Sequence, residues 1–252
     1  PKTISKITPL NYDQNIERLN KCDWIIEVIA ERLDLKQSIY NNIEKYINKD
    51  VIITSNTSGI NLSDLIKNMS EGLKRRFFIT HFFNPPRYMK LVEIISHGMV
   101  DKKILDRMTD FLQNKLGKGV VYAKDTPNFI ANRIGTYGMM SILDIAQSKN
   151  LSIEDVDNLT GTIIGRPKSA TFRTADIVGL DVLSMVATTA YEKCIDDKER
   201  NIFKIPEFLR KMIANKQLGQ KTKQGFYKKI DKGVIHSIDF NTLEYSPMKK
   251  TR

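Results

Sequence analysis

Phe77-Phe78-Ile79-Thr80-His81-Phe82-Phe83, stopped by Asn84-Pro85-Pro86 and resumed as Leu91-Val92-Glu93-Ile94-Ile95, reads as two buried strands on either side of a turn. Short apolar runs rich in aromatic and β-branched residues, closed by Asn and Pro, are strand signals. Upstream, Asp23-Trp24-Ile25-Ile26-Glu27-Val28-Ile29 is a further strand-like run, and from Asp34 to Ile47 the residues Leu35, Ile39, Ile43 and Ile47 recur at helical spacing. Val51-Ile52-Ile53-Thr54 supplies another strand and enters the turn Ser55-Asn56-Thr57-Ser58-Gly59, after which a short helix is expected with Ser63 as its N-cap. Strands alternating with helices predict the α/β class, a parallel sheet with crossover helices, whose functional groups gather at the carboxyl ends of the strands. Glu31, Ser58 and His81 all fall at such ends.

Beyond Val120-Val121-Tyr122-Ala123, Pro127 restricts its neighbour, and from Phe129 the spacing turns helical. Helices are expected over Phe129 to Lys149, from Ser152 as a capping-box start with Asp155, over Ala175 to Glu192, and over Glu207 to Lys216. The expected domains are therefore 1–124, 125–228 and an extended, linker-like tail over 229–252. Val234 to Phe240 in that tail alternates apolar and polar residues.

A chain of 252 residues that is 41% hydrophobic can bury one substantial core or two modest ones. It contains no apolar run of about eighteen residues and no secretion-signal order at its start, so a cytoplasmic protein without a membrane span is expected. Cys22 and Cys194 lie far apart without metal-ligand spacing, which predicts reduced thiols and no metal site. The formal charge of +11 is compatible with a phosphate-bearing small molecule, and a solvated basic surface accounts for it as well. The lysines are spread along helical stretches such as Glu44 to Lys49, with no arginine–aromatic interleaving, so nucleic acid is not an expected partner.

His81 and Glu93 place one imidazole and one carboxylate at the ends of two apolar runs. An alcohol loses its proton faster when a neutral imidazole accepts it as the carbon–hydrogen bond breaks, and a nearby carboxylate stabilises the imidazolium. A satisfied core histidine beside a strand-edge carboxylate has the same residue pattern, and the pair alone leaves both readings open.

Asn56-Thr57-Ser58-Gly59-Ile60, His81-Phe82-Phe83-Asn84-Pro85 with Met89-Lys90-Leu91-Val92-Glu93, and Asp125-Thr126-Pro127-Asn128-Phe129-Ile130-Ala131-Asn132-Arg133, in this order and spacing, resemble the 3-hydroxyacyl-CoA dehydrogenase family of fatty-acid β-oxidation. The similarity runs from about Asp23 to Lys228. The segment from Ile163 to Asp181 further resembles the long bacterial branch, in which this dehydrogenase is fused to a crotonase-like hydratase segment.

The resemblance implies an incomplete Rossmann-like parallel-sheet domain that binds NAD, followed by an all-helical C-terminal domain through which two copies pair. It implies an acyl-CoA substrate, His81 as general base, Glu93 as its orienter, and Ser58 and Asn132 as positioners of the substrate oxygens. Glu31, Lys36, Ser58, Asn84 and Lys221 match cofactor-contacting positions; Gly59 replaces the serine usual after Ser58, and Asn128 stands where glycine is usual. The competing class is a non-catalytic dimerisation or scaffold module of a multifunctional fatty-acid oxidation protein. No Gly-x-Gly-x-x-Gly turn occurs, so an N-terminal unit of roughly seventy to eighty residues is expected to be absent from this chain. By itself the chain is then expected to hold dinucleotide poorly and to be inactive.

Overall fold

The computed structural model describes residues 4–231 and 233–248. The chain divides into two units, Pro1–Phe129 and Ile130–Arg252.

In the first unit, after a short helix α1 (Tyr12–Asn15), the strands β1 (Trp24–Glu27), β2 (Ile52–Ser55), β3 (Phe77–Phe82), β4 (Leu91–Ile95) and β5 (Gly119–Ala123) form one sheet in sequence order. The pairs β1–β2, β2–β3 and β4–β5 are parallel, whereas β3 and β4 run antiparallel. The parallel expectation thus fails at one pair: the Asn84-Pro85-Pro86 turn joins β3 to β4 without a crossover helix, and so short a connection can only return the chain antiparallel. Alternate residues supply both faces. Ile53, Phe77, Ile79 and Ile95 pack with Tyr40, Leu62 and Leu65 on one side, while Ile52, Phe78, Val92 and Ile94 pack with Met108 and Leu112 on the other. A sheet covered on both faces accounts for the unbroken apolar runs.

Helix α2 (Leu33–Ile43) buries Lys36, Tyr40 and Ile43, and leaves Leu35 40% exposed. The stripe expected from Leu35, Ile39, Ile43 and Ile47 is therefore rotated, because the polar ends of Lys36 and Tyr40 have a buried carboxylate to meet. Helix α3 (Leu62–Ile66) begins after Asn61, not at Ser63. Its free amides at Leu62 and Ser63 donate to the Asp125 carboxylate, at 2.8 and 3.0 Å. A cap supplied from some sixty residues away leaves no local signal. Helix α4 (Glu71–Lys74) is capped by Ser70, and α5 (Lys102–Asp110) by Asp101.

The second unit holds α6 (Ala131–Ser148), α7 (Ile153–Thr160), α8 (Phe172–Val178), α9 (Leu180–Lys193) and α10 (Glu207–Ala214). Ser152 caps α7 through the Asp155 amide and also donates to the Asp155 carboxylate at 2.7 Å. The helix expected over Ala175 to Glu192 is two, broken at Gly179, whose φ of 99° is outside helical space.

The segment expected as a linker-like tail is instead an antiparallel sheet of β6 (Tyr227–Asp231), β7 (Val234–Ile238) and β8 (Tyr245–Pro247). Ile238 and Phe240 are buried in one cluster with Phe172, Phe208, Leu209 and Phe226. The alternation of Val234 to Phe240 marks the inward face of a strand, which a linker does not have. The C-terminal unit is thus mainly helical, with a β element closing its core.

Candidate functional site at the carboxyl ends of the first sheet

His81 and Glu93 are directly opposite partners in the antiparallel β3–β4 register. Both side chains project on the face that carries Ile79 and Ile95, because residues of one parity share a face. His81 Nδ1 lies 2.7 Å from Glu93 Oε2, and the two side chains are 3% and 0% exposed. With the Nδ1 proton donated to the carboxylate, Nε2 keeps its lone pair, and the Ser58 hydroxyl stands 3.0 Å from it. The ring is held in place by Phe83 and Phe129, at centroid distances of 4.5 and 5.5 Å. The Nε2 edge of the ring faces the half-buried Ser58 hydroxyl at the end of the strands.

Behind Ser58 lies a network the sequence reading missed. Glu27, at the end of β1 and 6% exposed, accepts four hydrogen bonds. Lys36 Nζ and the Ile29 amide each donate to Oε1 at 2.7 Å, and Tyr40 and Ser55 hydroxyls donate to Oε2 at 2.6 and 2.7 Å. The same Lys36 ammonium lies 3.4 Å from Glu31 Oε2. Glu31 Oε1 in turn accepts from the Thr57 hydroxyl at 2.5 Å and from the Ser58 and Gly59 amides at 3.0 Å each. Burial alone would raise the Glu31 carboxyl; Thr57, the Gly59 amide, Lys36 and the Ser58 amide together hold it below its ordinary value. Burial, then the adjacent Glu27, drives the Tyr40 phenol up, which keeps it a donor. The turn that presents Ser58 to His81 is therefore pinned by a carboxylate, and that carboxylate by a buried lysine. A glutamate inside the apolar run from Trp24 to Ile29 was the one available signal.

Among the residues matched to cofactor contacts, Lys36 is 1% exposed and fully engaged, so its ammonium positions Glu31. Glu31 is 37% exposed, and its Oε2 carries a single contact. Asn84 is exposed in the β3–β4 turn, and the nearby Asn56 carboxamide oxygen accepts from the Phe82 amide at 2.8 Å. Lys221 belongs to the second unit and pairs with Asp181 at 2.5 Å. Asn132, also in the second unit, is half-buried in the first turn of α6, not in the helix interior, so it escapes the interior penalty for asparagine. Asn128 has a φ of 62°, a left-handed backbone that asparagine tolerates better than other residues with a Cβ, which explains its standing in for glycine. Among the described residues, no cluster of three His, Cys, Asp or Glu could hold a metal ion. No helix among them is long and apolar enough to cross a membrane.

A largely parallel sheet flanked by helices, carrying a hydroxyl, an imidazole and a carboxylate in series at its strand ends, places the first unit in the α/β class. The comparisons narrow it. Residues 2–126 match the family model of the 3-hydroxyacyl-CoA dehydrogenase NAD binding domain, and residues 129–229 that of the C-terminal domain. A probable 3-hydroxyacyl-CoA dehydrogenase of Bacillus subtilis is 46% identical over 251 residues, covering 100% of this chain and 32% of its own length. The rat mitochondrial hydroxyacyl-coenzyme A dehydrogenase is 31% identical, with 90% of this chain and 69% of that protein covered. The crystal structure of (S)-3-hydroxybutyryl-CoA dehydrogenase from Ralstonia eutropha superposes with a TM-score of 0.73 at 30% identity, over 83% of this chain and 71% of that one. The chain belongs to the 3-hydroxyacyl-CoA dehydrogenase family. It spans about a third of the Bacillus relative and 62% of a Deinococcus radiodurans one.

Proposed function

We propose that this chain supplies the proton-handling residues for NAD-dependent oxidation of an L-3-hydroxyacyl-CoA to the 3-ketoacyl-CoA in fatty-acid β-oxidation, and that by itself it is inactive. The observation that carries this reading is the alignment of Ser58 Oγ, His81 Nε2, His81 Nδ1 and Glu93 Oε2, with spacings of 3.0 and 2.7 Å. The residues also fit one end of a dinucleotide: Glu31 offers a partly exposed carboxylate oxygen to ribose hydroxyls. Glu31, Asn84 and Ser58 would hold NAD, which when bound accepts the hydride. Lys36 aims Glu31, and Lys221 is carried as a further cofactor-side group.

The protein's own residues manage the proton. A substrate hydroxyl within reach of Ser58 Oγ and His81 Nε2 loses its proton to the ring as the carbon–hydrogen bond weakens. Glu93 keeps the Nδ1 proton on its side, fixing the tautomer and balancing the charge that forms. In reduction the same ring donates. Asn132 is assigned to the thioester carbonyl. The name of a Rickettsia felis relative, a putative fatty acid oxidation complex trifunctional enzyme that is 37% identical over 254 residues, supports β-oxidation as the setting. Exposed Ile134 and Ile145 on α6 and Met185 on α9 support pairing of two copies through the second unit; a cytoplasmic setting is carried with the reading.

The test is His81→Ala, assayed by acetoacetyl-CoA reduction in the longest polypeptide that contains this chain. Turnover should fall by about two to four orders of magnitude, with a smaller change in acyl-CoA affinity. Unchanged turnover would remove His81 from the role, whereas no turnover in the parent would favour the scaffold reading.

A further inference from the structure

Glu27, at the end of β1, handles no proton in the reaction, yet each residue of the turn 55–59 that presents Ser58 is tied to it. The ties run through separate atoms. The Glu27 carbonyl accepts from the Asn56 amide at 2.9 Å. Its Oε2 accepts from the Ser55 hydroxyl at 2.7 Å, and that Oγ in turn accepts from the Thr57 amide at 3.2 Å. Its Oε1 accepts from the Lys36 ammonium, which also faces Glu31, the acceptor of the Thr57 hydroxyl and of the Ser58 and Gly59 amides. From the other side, the Asn56 carboxamide joins the turn to the Phe82 amide, one residue past His81.

The chemistry of this residue is specific to a carboxylate. The Ile29 amide, the Lys36 ammonium and the Tyr40 and Ser55 hydroxyls all bring hydrogens to its side chain. A carboxylate accepts from all of them and balances the ammonium as well. Sharing Lys36 with Glu27 leaves Glu31 Oε1 free to serve the turn. An amide in place of the Glu27 carboxylate would leave the ammonium with Glu31 as its one ion-pair partner among the described residues, and would draw Glu31 off the Ser58 and Gly59 amides.

We propose that Glu27 is a positioning residue for the reaction: it fixes the turn so that the Ser58 hydroxyl stands within hydrogen-bond reach of His81 Nε2, and its loss lowers turnover through Ser58. The inference rests on the oxidation reading of the same site. A misplacement of about 1 Å can cost about a hundredfold in rate, so the framework behind the hydroxyl bears on turnover as well as on stability.

A double-mutant cycle tests it, read as acetoacetyl-CoA reduction in the longest polypeptide that contains this chain, with Glu27→Gln, Ser58→Ala and both together. Glu27→Gln should lower kcat about ten- to hundredfold, with the acyl-CoA KM changed less than about threefold. In the Ser58→Ala background the same substitution should change kcat less than about threefold, because the group it positions is already gone. A carboxylate that served stability alone would lower turnover by the same factor in both backgrounds, and that result overturns the proposal. Unchanged kcat in folded Glu27→Gln overturns it too. Ser55→Ala cuts one tie and keeps the buried charge pair, so it serves where Glu27→Gln does not fold; it should lower kcat about fivefold, again only with Ser58 present. Amide hydrogen exchange on this chain needs no turnover. In either variant the Thr57, Ser58 and Gly59 amides should exchange at least about tenfold faster while those of β3 and β4 keep the parent rates. Parent-like exchange at the turn overturns the proposal. A parent polypeptide without turnover refutes the oxidation reading alone, and the exchange rates then decide whether Glu27 holds the turn.

Discussion

Replacing Lys36 with Met should destabilise the first unit by about 3 kcal/mol, the low end of the range for breaking a buried ion pair. The Lys36 side chain is 1% exposed, and its ammonium lies 2.7 Å from Glu27 and 3.4 Å from Glu31. Its removal leaves the Glu27 carboxylate, 4% exposed at the side chain, without a counter-charge. The low end applies because Glu27 keeps the Tyr40 and Ser55 hydroxyls and the Ile29 amide. Trp24 is the only tryptophan of the chain and lies on β1, so its fluorescence in urea follows this unit separately from the other. At a slope of about 2 kcal/mol per molar urea, the midpoint should fall by about 1.5 M. Adding Glu27→Gln removes the stranded charge, so the double variant should lose less than the sum of the singles by at least about 1 kcal/mol. A Lys36→Met loss under about 1 kcal/mol, or strict additivity in the double variant, would refute the claim that Lys36 neutralises Glu27.

Burial, and to a lesser degree the charge of Asp157, pushes the Asp176 carboxyl up to about 6. The folded state therefore binds more protons than the unfolded one between about pH 4 and 6, and this contribution to stability, up to about 3 kcal/mol, is present at the acid end and lost as pH rises through 6. Thermal melts across that window should be flatter in Asp176→Asn; an unchanged slope would count against the assignment. Gly225→Ala should cost more than about 3 kcal/mol or prevent folding, since a Cβ there would sit 2.1 Å from Asp176 Oδ1 and 2.6 Å from Gly219 Cα. Gly98→Ala, with nothing within 4 Å of the added carbon, should melt like the parent. Asp125→Ala should cost about 1–2 kcal/mol by denaturant unfolding, the worth of a helix cap, because the Leu62 and Ser63 amides lose their acceptor.

The candidate site was legible where its chemistry depends on local spacing. His81 and Glu93 bracket one turn, and the antiparallel register of the strands they sit on makes them direct partners. Ser58 was named from a short motif and stands against the ring. Glu27 went unassigned because a lone carboxylate in a strand carries no period, and its donors come from residues 29, 36, 40 and 55. Lys36 looked like a cofactor contact because solvent exposure cannot be read from residue type, and its burial makes it a support for Glu31.

The one-dimensional pattern determined what depends on neighbours along the chain: apolar runs became strands, Ser152 and Asp155 opened a helix, and the proline pair turned β3 back on β4. Tertiary structure decided what depends on partners far away. It turned α2 toward Glu27, gave α3 its cap from Asp125, and folded Val234 to Phe240 onto the second core. The physical reason is that backbone preferences act over a few residues, whereas a buried charge, an unpaired amide or an apolar face is satisfied by whatever the fold brings to it.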